Sequence, residues 1–320
     1  MNSTQPTVQS WSNPFYALFQ HDYKLSVALA YLAALTLAEL LTTLTAPTAG
    51  MALHAGLLCL LLLHTAARWN RPDQPLLLSL AFAPLIRIVS LSLPLVGFPL
   101  VYWFFFTSVP LFAAIYQAMG MLGYSWRDVG MNGRHLPWQL LVGLTGLGLG
   151  YAEYQILQPE PLVNAFTWQQ LLLPALILLV STGLLEELIF RRLMQQAAIR
   201  QLGRWRGIAY VALLFAVLHI GYQSLVDVVF VFVVGLFFGW VVTLTKSLVG
   251  VTLAHGLTNI VLFLVMPFWA GNLSSTLASP VTSPPAIDFL IENAVWLLLL
   301  LASFGFMGIL LMRPPPQREL

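Results

Sequence analysis

Residues 169–190 read QQLLLPALILLVSTGLLEELIF. The run is long enough to cross a hydrocarbon layer, which takes about 20 mostly apolar residues. It stays apolar position after position. A barrel strand would instead alternate at a period of two, so the stretch reads as a membrane-spanning helix. Nine further stretches have the same character, over 25–46, 49–67, 76–97, 99–121, 137–156, 207–222, 225–245, 248–270 and 289–312. The expected fold class is all-α, a polytopic transmembrane helical bundle of about ten spans.

Composition leads to the same place. The 320 residues are 59% hydrophobic and only 8% charged. A soluble domain carries about 25% charged residues. Eight per cent cannot make a water-facing surface, so most of the surface must face lipid. The net charge of +2 gives no ground for a nucleic-acid partner. The one cysteine, Cys59, excludes an intramolecular disulfide and a cysteine-based metal site. Residues 1–23 hold no Lys or Arg and do not resemble a signal peptide. Their aromatic residues Trp11, Phe15, Tyr16 and Phe19 suit either the membrane interface or an unstructured tail.

The basic residues set orientation. With ten spans, Lys24, Arg68, Arg71, Arg127, Arg134, Arg191, Arg192, Arg200, Arg204, Arg206, Lys246, Arg313 and Arg318 all fall on one side. Only Arg87, inside the third span, lies outside that scheme. The expectation is both termini in the cytoplasm, in an integral, multi-pass protein of the bacterial plasma membrane. The chain divides into a four-span region with a polar N-terminal tail (1–136), a six-span remainder whose core is 137–270, and a terminal segment (271–320). That last segment would hold an irregular external loop, the last span and a short cytoplasmic tail.

Ionisable and polar groups inside spans are costly, and each is by default a functional candidate. Twelve qualify: Glu39, His54, His64, Arg87, Glu153, Glu186, Glu187, His219, Asp227, His255, Asn259 and Glu292. In Leu185-Glu186-Glu187-Leu188-Ile189-Phe190-Arg191 the adjacent acids point about 100° apart on a helix. Glu187 and Arg191, four apart with the acid first, share a face and suit an ion pair. Glu186 is left to face elsewhere and is free for proton transfer. The second signal is Phe215-Ala216-Val217-Leu218-His219, with His219 read as lying well inside the seventh span. The third is His255-Gly256-Leu257-Thr258-Asn259, which puts two hydrogen-bond donors on one face, as an oxyanion site requires. Taken singly, each signal has a packing explanation: a buried ion pair, a hydrogen-bonded histidine, a polar contact between helices.

Together and in this order they resemble the CPBP family, also called the CAAX prenyl protease 2 or type II CAAX protease and bacteriocin self-immunity family. Its pattern Glu-Glu-x-x-x-Arg, Phe-x-x-x-His, His-x-x-x-Asn is met by Glu186, Glu187 and Arg191, by Phe215 and His219, and by His255 and Asn259. The resemblance covers roughly 137–270 and implies a CAAX-protease-like core and an intramembrane endopeptidase. It implies that Glu186 and His219 activate water, that His255 and Asn259 stabilise the oxyanion, and that Glu187 and Arg191, with Phe190 and Phe215, support the site. Glu187 stays open to a direct part. The implied substrate is a membrane-associated peptide or protein, prenylated or not, met within the lipid bilayer.

No cofactor is expected, because no His-Glu-x-x-His stretch is present and Asn259 is a poor zinc ligand; the alternative is zinc on Glu186, His219 and His255. Two further functions stay open, a non-catalytic scaffold or bacteriocin-immunity protein of the same fold and a proton-coupled transporter. Glu39, Glu153, Asp227 and Glu292 read as isolated contact residues. Arg87 is a partner for Glu39 or Glu153, and His54 and His64 are too far apart in register to form a ligand pair. A helix that ran on towards Gln201, with Arg191 and Arg192 turned inward, would bring Glu186 deep enough to meet the histidines. That longer helix is expected. Oligomeric state is not legible.

Overall fold

The computed structural model describes residues 14–124, 130–131 and 136–270, with side chains from Lys24 onward. The side chains of the N-terminal aromatic stretch, most of the 124–139 link, and everything after Ala270, including Glu292 and the tenth span, lie outside the described residues. Every regular element among the described residues is helical. Ten helices are labelled here: α1 Pro14–Leu40, α2 Pro47–Ala67, α3 Gln74–Leu80, α4 Phe82–Ser92, α5 Leu100–Met121, α6 Leu136–Leu157, α7 Trp168–Leu202, α8 Arg204–Val217, α9 Leu225–Thr245 and α10 Val249–Ala270. Eight membrane-length apolar helices result, with α3 and α4 together making one of them. The helix α6 has 22 residues and matches the remaining sequence-predicted span within the described part. The molecule is an integral, multi-pass membrane protein.

The third span breaks at Ala81. Pro84 has no N–H to offer the Leu80 carbonyl, so the helical ladder is interrupted one turn before it. Helix α7 is 35 residues long and continuous, so the longer helix expected from Arg191 is present. Within it, wider π-helical turns span Leu178–Leu184 and Leu188–Met194, on either side of the acid pair. Such turns recur at functional sites because they re-aim side chains. The helix ends at Gly203, whose φ of 85° is open to glycine. There α8 folds back along α7. A Cβ on Gly207 would lie 2.6 Å from the Ile199 nitrogen, so the two backbones touch.

Helix α10, which carries His255 and Asn259, is gripped on two sides. Gly143, Gly146 and Gly150 line the face of α6 turned towards it. A Cβ on Gly146 would sit 2.2 Å from the Ala254 carbonyl oxygen, and one on Gly150 would sit 2.5 Å from that of Thr258. From the other side Gly183 of α7 meets Gly256, with a Cβ-to-nitrogen approach of 2.9 Å. Lipid gives no hydrophobic drive for helix pairing, so close van der Waals contact through small residues takes its place. The polar ends of several helices gather at one end of the bundle. The Gln201 amide donates to the Pro72 carbonyl, Arg200 to the Tyr124 hydroxyl at 3.2 Å, and the Leu248 N–H to the Gly130 carbonyl at 3.0 Å.

This packing makes a paired prediction. Gly146→Ala improves intrinsic helix propensity by up to about 1 kcal/mol, yet its methyl meets the Ala254 carbonyl and the substitution should destabilise by about 1–3 kcal/mol. Gly148→Ala, with nothing within 4 Å, should be neutral or mildly stabilising. Melting temperatures of the two variants in detergent micelles check the pair. Equal behaviour would show that α6 does not seat α10 as described.

Candidate active site

The acid pair sits at the centre. Glu187 is fully buried, and Glu186 beside it keeps 28% of its side chain exposed. The 100° step between neighbours on a helix explains the contrast: one points into the packed interior, the other into a less crowded space. Glu187 Oε2 lies 3.3 Å from Arg191 Nε, the predicted i,i+4 ion pair. Its other oxygen, Oε1, lies 3.0 Å from His255 Nδ1. A carboxylate held by an arginine accepts, so His255 Nδ1–H donates to it. On its other edge, His255 Nε2 lies 3.8 Å from Glu186 Oε2. One imidazole therefore bridges two carboxylates from a single helix.

Arg191 is 2% exposed. Its guanidinium lies 4.7 Å from the Phe215 ring centre and 6.0 Å from that of Phe238 on α9. Such stacking is worth up to about 2 kcal/mol when desolvated. Phe215 is the hub of the aromatic shell, 4.8 Å from Phe190, 4.7 Å from His219 and 6.0 Å from His255. Phe215 thus packs against Arg191 and both histidines, with Phe190 packed against Phe215 in turn.

His219 lies within its span, Arg204–Tyr222, as read. It lies beyond the last residue of α8, in a turn with φ −92° and ψ 0° that leads into a single 3-10 turn, Ile220–Tyr222. Its Nδ1–H donates to the Phe215 carbonyl at 2.9 Å, because a carbonyl can only accept. That fixes the tautomer and leaves the Nε2 lone pair unengaged. The His219 ring faces Phe215 and Tyr222, and no described contact joins it to Glu186. Phe215 lies between the two histidines, 4.7 Å from His219 and 6.0 Å from His255.

Asn259 shares the α10 face with His255, as its spacing predicts. One of its amide N–H groups donates to Thr182 Oγ1 at 2.8 Å, and the Thr182 hydroxyl donates to the Leu178 carbonyl. The carboxamide is thereby oriented by α7. Thr182 went unread in the sequence, although it lies one turn before Glu186 on the same helix. Glu153 of α6 and Asp227 of α9, read as isolated residues, are both buried. Neither oxygen of Asp227 has a hydrogen-bond partner.

Among the described residues no group of three or more His, Cys, Asp or Glu side chains could hold a metal ion. Glu186 and His255 lie side by side, and no described contact brings His219 to Glu186 as a third member of the set that the zinc alternative names. The other candidates lie apart. Glu39 pairs with Arg87 at 2.6 Å and His54 lies 3.4 Å from Glu39. His64 hydrogen-bonds Tyr31 at 2.8 Å.

The segment of α7, α8, α9 and the first half of α10 that brings these groups together is also the segment that compares with known proteins. Residues 168–261 match the model of a family described as Type II CAAX prenyl endopeptidase Rce1-like. The resemblance read from Glu186, Glu187, Arg191, Phe215, His219, His255 and Asn259 agrees with this match, since all seven lie within the matched segment. The Rce1-like match begins at α7, so it leaves out α6, which the motif-based resemblance included. No curated protein and no solved structure matches the chain.

The candidate site depends on charge pairing in a dry interior, which generates a prediction. Arg191→Met leaves Glu187 buried without its cation, a change that costs about 3–5 kcal/mol. The double variant Glu187→Gln/Arg191→Met removes both charges and should recover much of that loss. Unfolding of the three proteins in mixed micelles checks it. A single variant as stable as the parent would show that the pair is not energetically coupled.

Proposed function

We propose that the protein is an intramembrane endopeptidase that hydrolyses peptide bonds of membrane-associated substrates, CAAX-type prenylated chains among them, with Glu186 as the water-activating carboxylate. The observation that carries the reading is the asymmetry of the acid pair. Glu187 is committed on both oxygens, while Glu186 is partly exposed and meets only His255, at 3.8 Å. A carboxylate that can still accept a proton beside an imidazole is what general-base catalysis needs.

In this reading Glu186 and His219, through its unengaged Nε2, orient a water molecule and draw off its proton. The water oxygen bonds to the scissile carbonyl carbon, and the carbonyl oxygen becomes an oxyanion. His255 and the second amide N–H of Asn259 donate to that oxyanion. Glu187 and Arg191 hold His255 in place. When the intermediate collapses, the carbon–nitrogen bond breaks and the proton taken from water passes to the departing amine. The residues' own proton transfers complete this cycle, and no metal or other cofactor enters it.

The reading places the cleavage site towards the membrane face on which the basic connections lie. The gathering of the 68–73, 124, 130, 200–206 and 246–248 segments at one end of the bundle supports a cytoplasmic location for that face, with both termini there, in a bacterial plasma membrane. The core 137–270 would be the catalytic unit, with 1–136 and 271–320 as flanking regions. A second reading, a proton relay in a transporter, is favoured by one observation: Glu153 and Asp227 are further carboxylates buried within spans, and neither Asp227 oxygen has a hydrogen-bond partner among the described residues. Proton-gradient-dependent flux in vesicles would mark it.

Purified protein in proteoliposomes, given a panel of farnesylated and unmodified membrane-anchored peptides, should cleave a member of the panel, with the fragments identified by mass spectrometry. Glu186→Gln should lower the rate by at least about 100-fold while the melting temperature stays near that of the parent, because no structural ion pair depends on Glu186 alone. Full proteolysis by Glu186→Gln protein would refute the mechanism. A phenotype that survives loss of both Glu186 and His219 would point to a scaffold instead.

A further inference from the structure

Arg87 lies on α4, well before the Rce1-like segment, in the interior of a span. It is clamped by Glu39 of α1: Arg87 Nε donates to Glu39 Oε1 at 2.9 Å and Nη2 lies 2.6 Å from Oε2. Glu39 is fully buried, and so is His54 of α2, whose Nε2 stands 3.4 Å from the same Oε1. These three residues alone would make an internal ion pair with a histidine beside it. The guanidinium does one more thing. Its Nη2 also donates to the backbone carbonyl of Leu218, at 2.8 Å, across 131 positions of sequence.

Leu218 is the residue on which α8 ends, and His219 follows it directly. The last carbonyls of a helix have no partner within the helix. In hydrocarbon no water replaces that partner, and each unsatisfied group costs several kcal/mol. Arg87 supplies the missing donor. It also lies against the turn that follows, since a Cβ on Gly221 would come within 3.9 Å of both its terminal nitrogens. The His219 imidazole is thus held by its own Nδ1–H bond to Phe215 on one side. On the other it is held through a backbone pinned by a side chain from the first four spans.

We propose that Arg87 is a positioning residue for His219: clamped by Glu39, it fixes the helix end that aims the imidazole at the site. The planar fork of arginine can grip a carboxylate and a carbonyl at once, which a lysine ammonium on one point cannot do. This gives the spans before residue 136 a part in the chemistry, as a bracket and not only as a membrane anchor. The inference rests on the reading that His219 serves the active site. Its physical core, the tie from Arg87 to the His219 turn, can be measured separately.

The test uses the full chain in nanodiscs with 15N-labelled histidine, the His219 signals being assigned by difference from His219→Ala. The parent should show His219 with its proton on Nδ1. The double variant Glu39→Gln/Arg87→Met removes both charges together, so no buried charge is orphaned. It should lose that fixed tautomer signature, and its kcat on the peptide cleaved by the parent should fall about 100-fold, the scale of a 1 Å misplacement, with KM little changed. Glu39→Gln alone removes the clamp but keeps the guanidinium, and should fall between the parent and the double variant in both the signature and kcat. Should the double variant fail to fold, Arg87→Lys, which keeps a cation for Glu39 but loses the fork, is read in the same way and with the same expectation. An unaltered His219 signature and parental kcat in these variants would overturn the proposal. If the parent cleaves no peptide, the endopeptidase reading fails by itself, and the tautomer signature alone then decides whether Arg87 sets His219.

Discussion

A carboxylate buried within a bilayer must have partners, and the arrangement of α7, α8 and α10 can be traced to how Glu187 finds them. The group is fully buried, has no water to turn to, and takes Arg191 from its own helix and His255 from α10. Arg191 must then stay inside the bundle, which requires α7 to continue past it to Leu202 and not leave the membrane at the double arginine. Being inside, its guanidinium needs a polarisable surface, and Phe215 of α8 provides one. The single acid thus dictates the length of one helix and the placement of two others. The close glycine contacts of α6 and α7 with α10 are what allow His255 to come within 3.0 Å of it.

Two neighbouring acids in a membrane helix would repel if they shared an environment. The 100° step between them separates their tasks. Glu187 has one oxygen hydrogen-bonded to His255 and the other in an ion pair with Arg191, and acts as the fixed charge against which the site is built. Glu186 has one weakly engaged histidine neighbour and partial exposure, so its proton affinity is available for chemistry. His255 spans the two and couples the structural charge to the reactive one. Asn259, one turn further along α10, has its amide held by Thr182 in the same way, a hydroxyl from α7 fixing a polar group of α10.

Much of this was legible in the chain because the relevant forces are local. The spans follow from apolar run length. The ion pair follows from the i,i+4 spacing of Glu187 and Arg191, and the shared face of His255 and Asn259 follows from the same rule. What escaped reading depends on which helices meet. The glycine face of α6 is visible as spacing but says nothing of its partner until Ala254 and Thr258 are seen against it. His219 lies within its span, Arg204–Tyr222, as read, but nothing in Phe215-Ala216-Val217-Leu218-His219 signals that the regular helix ends just before it. The end is made possible by Arg87, a donor from 131 positions away.

Two acid–arginine pairs among the described residues have a common logic. Each consists of a fully buried glutamate and an arginine, Glu187 with Arg191 and Glu39 with Arg87, and each is joined to a histidine of the candidate site. In the first pair the acid does the holding, through a direct bond to His255. In the second the base does it, through the backbone carbonyl that precedes His219. A lone buried charge would be too costly to place beside a reactive imidazole, whereas a paired one can lend a single directed hydrogen bond while its net charge is balanced by its partner. Two histidines are thereby oriented from independent parts of the chain. Only the first of the two devices lies within the segment that resembles known endopeptidases. The second is built from spans outside that match, so the geometry of His219 depends on residues that the family likeness does not cover.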